Sequence, residues 1–331
     1  MSQSLLETLL KARDDDNANV RKAAAISLGD QDNSHAKAAL VKMLSDKVWQ
    51  VREEVINSIQ KAKITEAAPH LLKILGCDDE SQARKAILKW AAAKGEDQAA
   101  SKAKGGANPL AGGGKKKVEP NPWQIKKAAA LAVSSLRPDL AAAPLMEMLK
   151  VENPSVRSAA LIGLGTIQSL EAIGEAIAMC EDKDWNIRKT AAMILGRLKA
   201  EQAAPVLIKL LGDDKFSVRT EAVIALNHIK PPEALEPLVN TLANDNNYEV
   251  RKTAATALGN LKNEEIAPAL FKALEDDNWM VKKAALDSIT NLKVVDGIDF
   301  MAQMLGDEQE EIRSAAAAGL IMLTKISKAK V

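Results

Sequence analysis

The chain has 331 residues with 45 Lys and Arg against 44 Asp and Glu, and its pI near 7.7 is too low for a dedicated nucleic-acid domain, where values above about 9 are usual. Apolar residues make up 47% but aromatics only 3%, so any core is built from Ala, Leu, Ile and Val, and no stretch reaches the roughly 18 consecutive apolar residues of a membrane span. Two cysteines, Cys77 and Cys180, are too few for a disulfide framework and read as unpaired thiols in a reducing compartment. The opening Met1-Ser2-Gln3-Ser4-Leu5-Leu6-Glu7 lacks the basic then apolar pattern of a secretory signal, so a cytoplasmic protein is expected.

Taken in chain order, a Val-Arg dipeptide or close variant marks every unit. Val20-Arg21, Val51-Arg52 and Ala83-Arg84 come first, and a step of 42 residues leads to Ile125-Lys126. Val156-Arg157, Ile187-Arg188, Val218-Arg219, Val250-Arg251, Val281-Lys282 and Ile312-Arg313 follow at steps of 31 or 32. Behind the basic residue runs an alanine-rich segment, closed in several repeats by glycine, as in Lys252-Thr253-Ala254-Ala255-Thr256-Ala257-Leu258-Gly259. That pattern predicts a helix, here B, with a left-handed cap at the glycine. Before it stand turns such as Asp182-Lys183-Asp184 and Asp213-Asp214, whose carboxylates suit the free amides of the first helical turn. Upstream lies a second apolar segment, such as Ala203-Ala204-Pro205-Val206-Leu207-Ile208, with proline where a first turn tolerates it. This is helix A. Two helices and two turns fill the period, and neither helix can bury its apolar stripe without the neighbouring repeats. The reading is an all-α solenoid of about ten helix pairs with a period of about 31 residues.

The long step contains Gly105-Gly106, Gly112-Gly113-Gly114 and Lys115-Lys116-Lys117. Residues 94–120 are read as a flexible linker between three repeats over 1–93 and seven over 121–331. Gly112 to Lys117 lacks the spacing of a phosphate loop.

The recurring Asp-Asp-x-x-x-Val-Arg-x-x-Ala-Ala-x-Ala-Leu-Gly resembles the HEAT-like repeat of the phycobilisome-lyase family over nearly the whole chain. The resemblance implies an α-solenoid in which one face of helix B lines a concave groove. It also implies protein adaptors and scaffolds as one role and bilin lyases as another.

With the Val of Val-Arg as position 0 and 100° per residue, positions +3, +4, +5, +7 and +8 form the core arc, and −2, −1, +2 and +6 lie on the opposite face. Position −2 holds Trp49, Trp123, Trp185, Phe216, Tyr248 and Trp279, six of nine aromatics in the chain. Rings there either fill space at the helix entrance or form a ladder along the groove, since rings dominate interface energetics. Position +2 holds Lys127, Lys189, Lys252 and Lys283 among others, which suit an acidic partner. Position +6 is apolar in the fourth to seventh repeats, at Leu131, Ile162, Met193 and Ile224. Apolar side chains on an open face call for a partner, and a helix or extended peptide laid in the groove is the natural ligand. The basic residue at +1 sits at the edge of the core and is read as structural, reaching an acidic turn or helix carbonyls of an adjacent repeat.

Catalysis has little support. His35, His70 and His228 stand outside any paired His-Glu motif, no Cys-His set has zinc spacing, and no nucleophile-His-acid arrangement follows from spacing. The expectation is a non-enzymatic adaptor or assembly scaffold without cofactor. A bilin lyase or pigment binder, with tetrapyrrole propionates on groove lysines, is the first alternative. A nucleic-acid-binding solenoid is the second, disfavoured by the neutral charge balance.

Overall fold

The structure is a computed structural model that describes residues 3–76 and 122–329. All regular structure among these residues is helical, with 18 α-helices and short 3-10 turns. The chain divides into two compact units, residues 1–172 and 173–331.

Unit 1 holds α1 (Gln3–Ala12), α2 (Ala18–Gly29), α3 (Ser34–Met43), α4 (Trp49–Lys61), α5 (Ala68–Leu75), α6 (Pro122–Leu136), α7 (Pro138–Met148) and α8 (Pro154–Thr166). Odd helices are the A type and even helices the B type, and α2, α4, α6 and α8 pack on one another in that order. α6 also packs on α5, so it serves as the B helix of the pair that Ala68–Leu75 begins. The third dipeptide, Ala83-Arg84, and the linker at 94–120 lie outside the described residues.

Unit 2 repeats the scheme with α9 (Ile173–Met179), α10 (Trp185–Arg197), α11 (Ala204–Leu210), α12 (Phe216–Ile229), α13 (Leu235–Asn244), α14 (Tyr248–Gly259), α15 (Ala267–Lys272), α16 (Trp279–Leu292), α17 (Ile298–Met304) and α18 (Glu310–Ala329). Its B helices α10, α12, α14, α16 and α18 form one packed row. Several A helices are short because their first turn is 3-10, as at Glu201–Ala203 before α11. Pro69, Pro205 and Pro268 each stand in the first turn of an A helix, where no intrahelical donor is lost.

The core follows the helical wheel. Position +4 is buried in every described B helix, from Ala24, Val55 and Ala129 to Ala254, Ala285 and Ala316. None of the described residues at −2, −1, +2 and +6 is buried. Small residues let the B helices approach closely. A Cβ on Gly259 would lie 2.6 Å from the Cβ of Ser288 on the next B helix, and one on Gly196 would lie 2.7 Å from the Cα of Ala225.

Those contacts correct the reading of the Leu-Gly pair. The glycine serves helix-to-helix packing, and the left-handed residue comes three positions later. It is Lys63, Gln168, Lys199, Lys230, Lys262 or Lys293, with φ between 50 and 59°. A non-glycine residue there costs about 1 kcal/mol or more. The Lys230 amide recovers part of that cost by donating to the Leu226 carbonyl at 2.7 Å, closing the helix end.

Candidate functional site

Two sets of side chains leave each B helix in different directions. The first builds the turns. Asn17, Asn153, Asp184, Asn247 and Asn278 cap B helices by accepting the amide two residues on, at 2.8 to 2.9 Å. Beside the caps runs a ladder of ion pairs. Arg219 donates from Nε and Nη2 to both carboxylate oxygens of Asp245 at 2.7 and 2.8 Å, and from Nη1 to the Asp213 carbonyl at 2.9 Å. Arg21 meets Asp46, Arg188 meets Asp213 and Arg251 meets Asp276 in the same bidentate way. Lys282 holds Asp307 at 3.1 Å. Each of these aspartates lies in the acidic turn of the following repeat and also accepts a turn amide, as Asp276 does from Asn278 at 2.8 Å. Burial raises the Asp46 and Asp276 carboxyls, but the bonds from Arg21 and Arg251 and the turn amides outweigh it and hold both below the ordinary value. The +1 residues are therefore structural, as their position suggested.

The second set occupies the outer face of the B helices. In unit 1, Trp49 on α4, Trp123 and Leu131 on α6, and Ile162 on α8 are half-buried, while Lys127 is exposed. In unit 2, Trp185, Lys189 and Met193 stand on α10, and Phe216 and Ile224 on the adjoining α12. Tyr248 and Lys252 stand on α14, and Trp279 and Lys283 on α16. The aromatic column is not uniform. Trp185 and Phe216 are 38% and 45% exposed, whereas the other four rings are half-buried. Leu131 and Ile162 belong to unit 1 and Met193 and Ile224 to unit 2, so the expected apolar stretch is distributed over both units.

Three features escaped the sequence. Ile26, at +6 of α2, is 46% exposed and extends the apolar column toward the N-terminus. The period alone points to it. Glu221 occupies +3 of α12, where most repeats hold Ala or Thr. Burial pushes its carboxyl up, and the charge of Lys189 on α10 pulls against that shift. The third is a depression of about 420 Å³ between α14 and α16, lined by Lys252, Thr256, Trp279, Lys283, Asp287 and Asn291 among others.

Elsewhere the chemistry is quiet. His35, His70 and His228 are exposed. Cys180 is free and buried, and desolvation, with the charge of Glu181 adding, pushes its thiol up to about 12, so it stays protonated at neutral pH. Cys77 lies outside the described residues. No helix among the described residues is long and apolar enough to cross a membrane.

The fold resembles several solved structures. A structure of Kap95p with RanGDP shares 14% identity at a TM-score of 0.63, covering 97% of this chain and 45% of that one. The Escherichia coli protein YibA shares 18% at 0.54, covering 90% and 95%. The CpcE and CpcF complex of phycocyanin lyase from Nostoc sp. PCC7120 shares 23% at 0.39, covering 46% and 99%. At these identities the likenesses show the fold alone, and the last carries no argument. No curated protein sequence matches the chain. The sequence profile of the HEAT repeats matches residues 6–91, 142–227, 173–247 and 235–321, and with the helix pairs described above the chain belongs to the HEAT-repeat family.

Proposed function

We propose that the chain is a non-enzymatic, cytoplasmic adaptor or assembly scaffold that grips a partner protein in a concave groove lined by the solvent-facing side of its B helices. The observation that carries this reading is the exposure of Trp185 and Phe216 on adjoining helices, beside the half-buried Met193 and Ile224 and the cation Lys189. Exposed rings ringed by apolar and charged side chains are what a protein interface is built from. A space-filling role explains a half-buried ring but leaves a ring that is 45% exposed without a purpose. An amphipathic helix or an extended peptide suits such a row, apolar side chains meeting the rings and polar ones meeting the lysines. Within unit 2 the face continues over α14 and α16 through Tyr248, Lys252, Trp279 and Lys283, and unit 1 carries the same repeat positions at Trp49, Trp123, Leu131, Ile162 and Lys127.

The test is a pull-down from lysate of the source organism with wild type and with a Trp185→Ala, Phe216→Ala, Met193→Ser triple variant, read by mass spectrometry and visible absorbance. A stoichiometric protein kept by wild type and lost by the folded variant supports the reading. A pigment or nucleic acid in its place, or equal capture by both samples, contradicts it.

A further inference from the structure

The depression between α14 and α16 holds two lysines and one carboxylate. Lys252, Lys283, Trp279 and Asn291 all border it, and each of these side chains carries an N–H donor. Several of its polar groups are engaged within the chain. Lys283 donates to Asp287 at 2.7 Å, the Thr256 hydroxyl to the Lys252 carbonyl at 3.1 Å, and the buried Ser288 hydroxyl to the Ala255 carbonyl at 2.9 Å. Among the described residues Lys252 has no carboxylate partner, and the side chains of Trp279 and Asn291 hold no hydrogen bond. With Lys283 and Asp287 paired, one positive charge and several donors remain. Their complement is a single carboxylate beside an apolar surface. A nucleic-acid backbone would bring a row of phosphates, where the depression leaves one cation, Lys252, without a carboxylate partner.

The position of this depression along the row gives a spacing. It lies two helix intervals from the site that α10 and α12 form with Trp185 and Phe216. Packed helices are separated by about 8 to 10 Å, so the two sites are about 16 to 20 Å apart. An extended chain advances about 3.3 Å per residue, which sets the two contacts about five or six positions apart in it. We propose that the depression takes the carboxylate of an Asp or Glu side chain in the same extended peptide whose apolar residue rests on Trp185 and Phe216, about six residues away. This rests on the adaptor reading and specifies the partner as an acidic and hydrophobic peptide.

The experiment is selection from a displayed library of random 12-residue peptides, flanked at both ends so that only side-chain carboxylates are offered, on the full chain. Wild type, Lys252→Glu, and Trp185→Ala with Phe216→Ala are selected in parallel after each is shown to fold by circular dichroism. Wild type should enrich an aromatic or aliphatic anchor with Asp or Glu five or six residues away, and Asp→Asn in a selected peptide should weaken binding at least fivefold. Lys252→Glu should keep the anchor and replace the acid with Lys or Arg. If the anchor is selected without an acid, or the acid preference survives Lys252→Glu, the carboxylate subsite is wrong while the adaptor reading stands. If the ring variant enriches the same peptides as wild type, or no peptide is enriched on any protein, both fall.

Discussion

Positions +1 and +2 of the B helices are neighbours in sequence and opposites in environment. In unit 2, Arg219 is 11% exposed and locked to Asp245, itself 6% exposed, whereas Lys252, at +2 of the next B helix, borders the depression without a carboxylate partner. A step of one residue turns a helix by about 100°. That turn separates side chains that join repeat to repeat from side chains offered to a partner. The comparison teaches that a charged residue in a repeat protein has to be read by its place in the period, since charge type alone assigns Arg219 and Lys252 the same role.

Breaking the ladder should have the largest effect. Arg219→Ala leaves the buried Asp245 without its cation and should cost about 3 kcal/mol or more in urea denaturation, whereas Lys252→Ala should change stability by less than about 0.5 kcal/mol. Equal losses would erase the distinction. Crowding the row of B helices comes next. Gly259→Ala drives a methyl into Ser288 and should cost about 1 to 3 kcal/mol. Gly212→Ala, whose Cβ would meet nothing closer than 3.6 Å, should be close to neutral by the same assay.

Acid sharpens the contrast more gently. Asp276 and Asp307 are held below the ordinary carboxylate value of 3.8, Asp276 by Arg251 and its turn amide against the opposing effect of burial, Asp307 by the Gln309 amide and Lys282. Their protons bind the unfolded chain first, so their stabilisation is present above about pH 3.8 and is lost as pH falls through the lower folded values. Denaturation of Asp276→Asn from pH 6 to pH 2 should show a shallower decline than wild type. The smallest effect has the opposite sign. Glu221 has a raised folded pKa from burial, so its ionised form is disfavoured in the folded chain and its stabilisation is lost as pH rises from 4.5 through the folded value. Glu221→Gln should therefore raise the thermal midpoint slightly at pH 7 and leave it unchanged near pH 3.5.

Much of this was legible from the period. The alternation of helices, the buried +4 column, the cap at Asp184 and the role of Arg188, Arg219 and Arg251 all follow from local spacing. What escaped depends on neighbours that a single repeat does not reveal. Gly259 looks like a cap until Ser288 is seen against it, and the left-handed lysines carry no marker in their side chains. Trp185 and Tyr248 share one position yet differ in exposure. The depression exists because α14 sets Lys252 opposite Trp279 and Asn291 of α16. The packing of Pro122–Leu136 on α4 and α5 has no marker in a spacing that sets a 42-residue step before it.

The central claim is that the outer face binds while the ladder folds. It is tested most directly by titrating a peptide selected on wild type against wild type, Arg219→Ala and the Trp185→Ala, Phe216→Ala, Met193→Ser triple variant, at a temperature where circular dichroism shows all three folded. The account predicts that Arg219→Ala, the less stable protein, binds within twofold of wild type and that the triple variant binds at least tenfold more weakly. Affinities that fall in step with stability across the three proteins would contradict it.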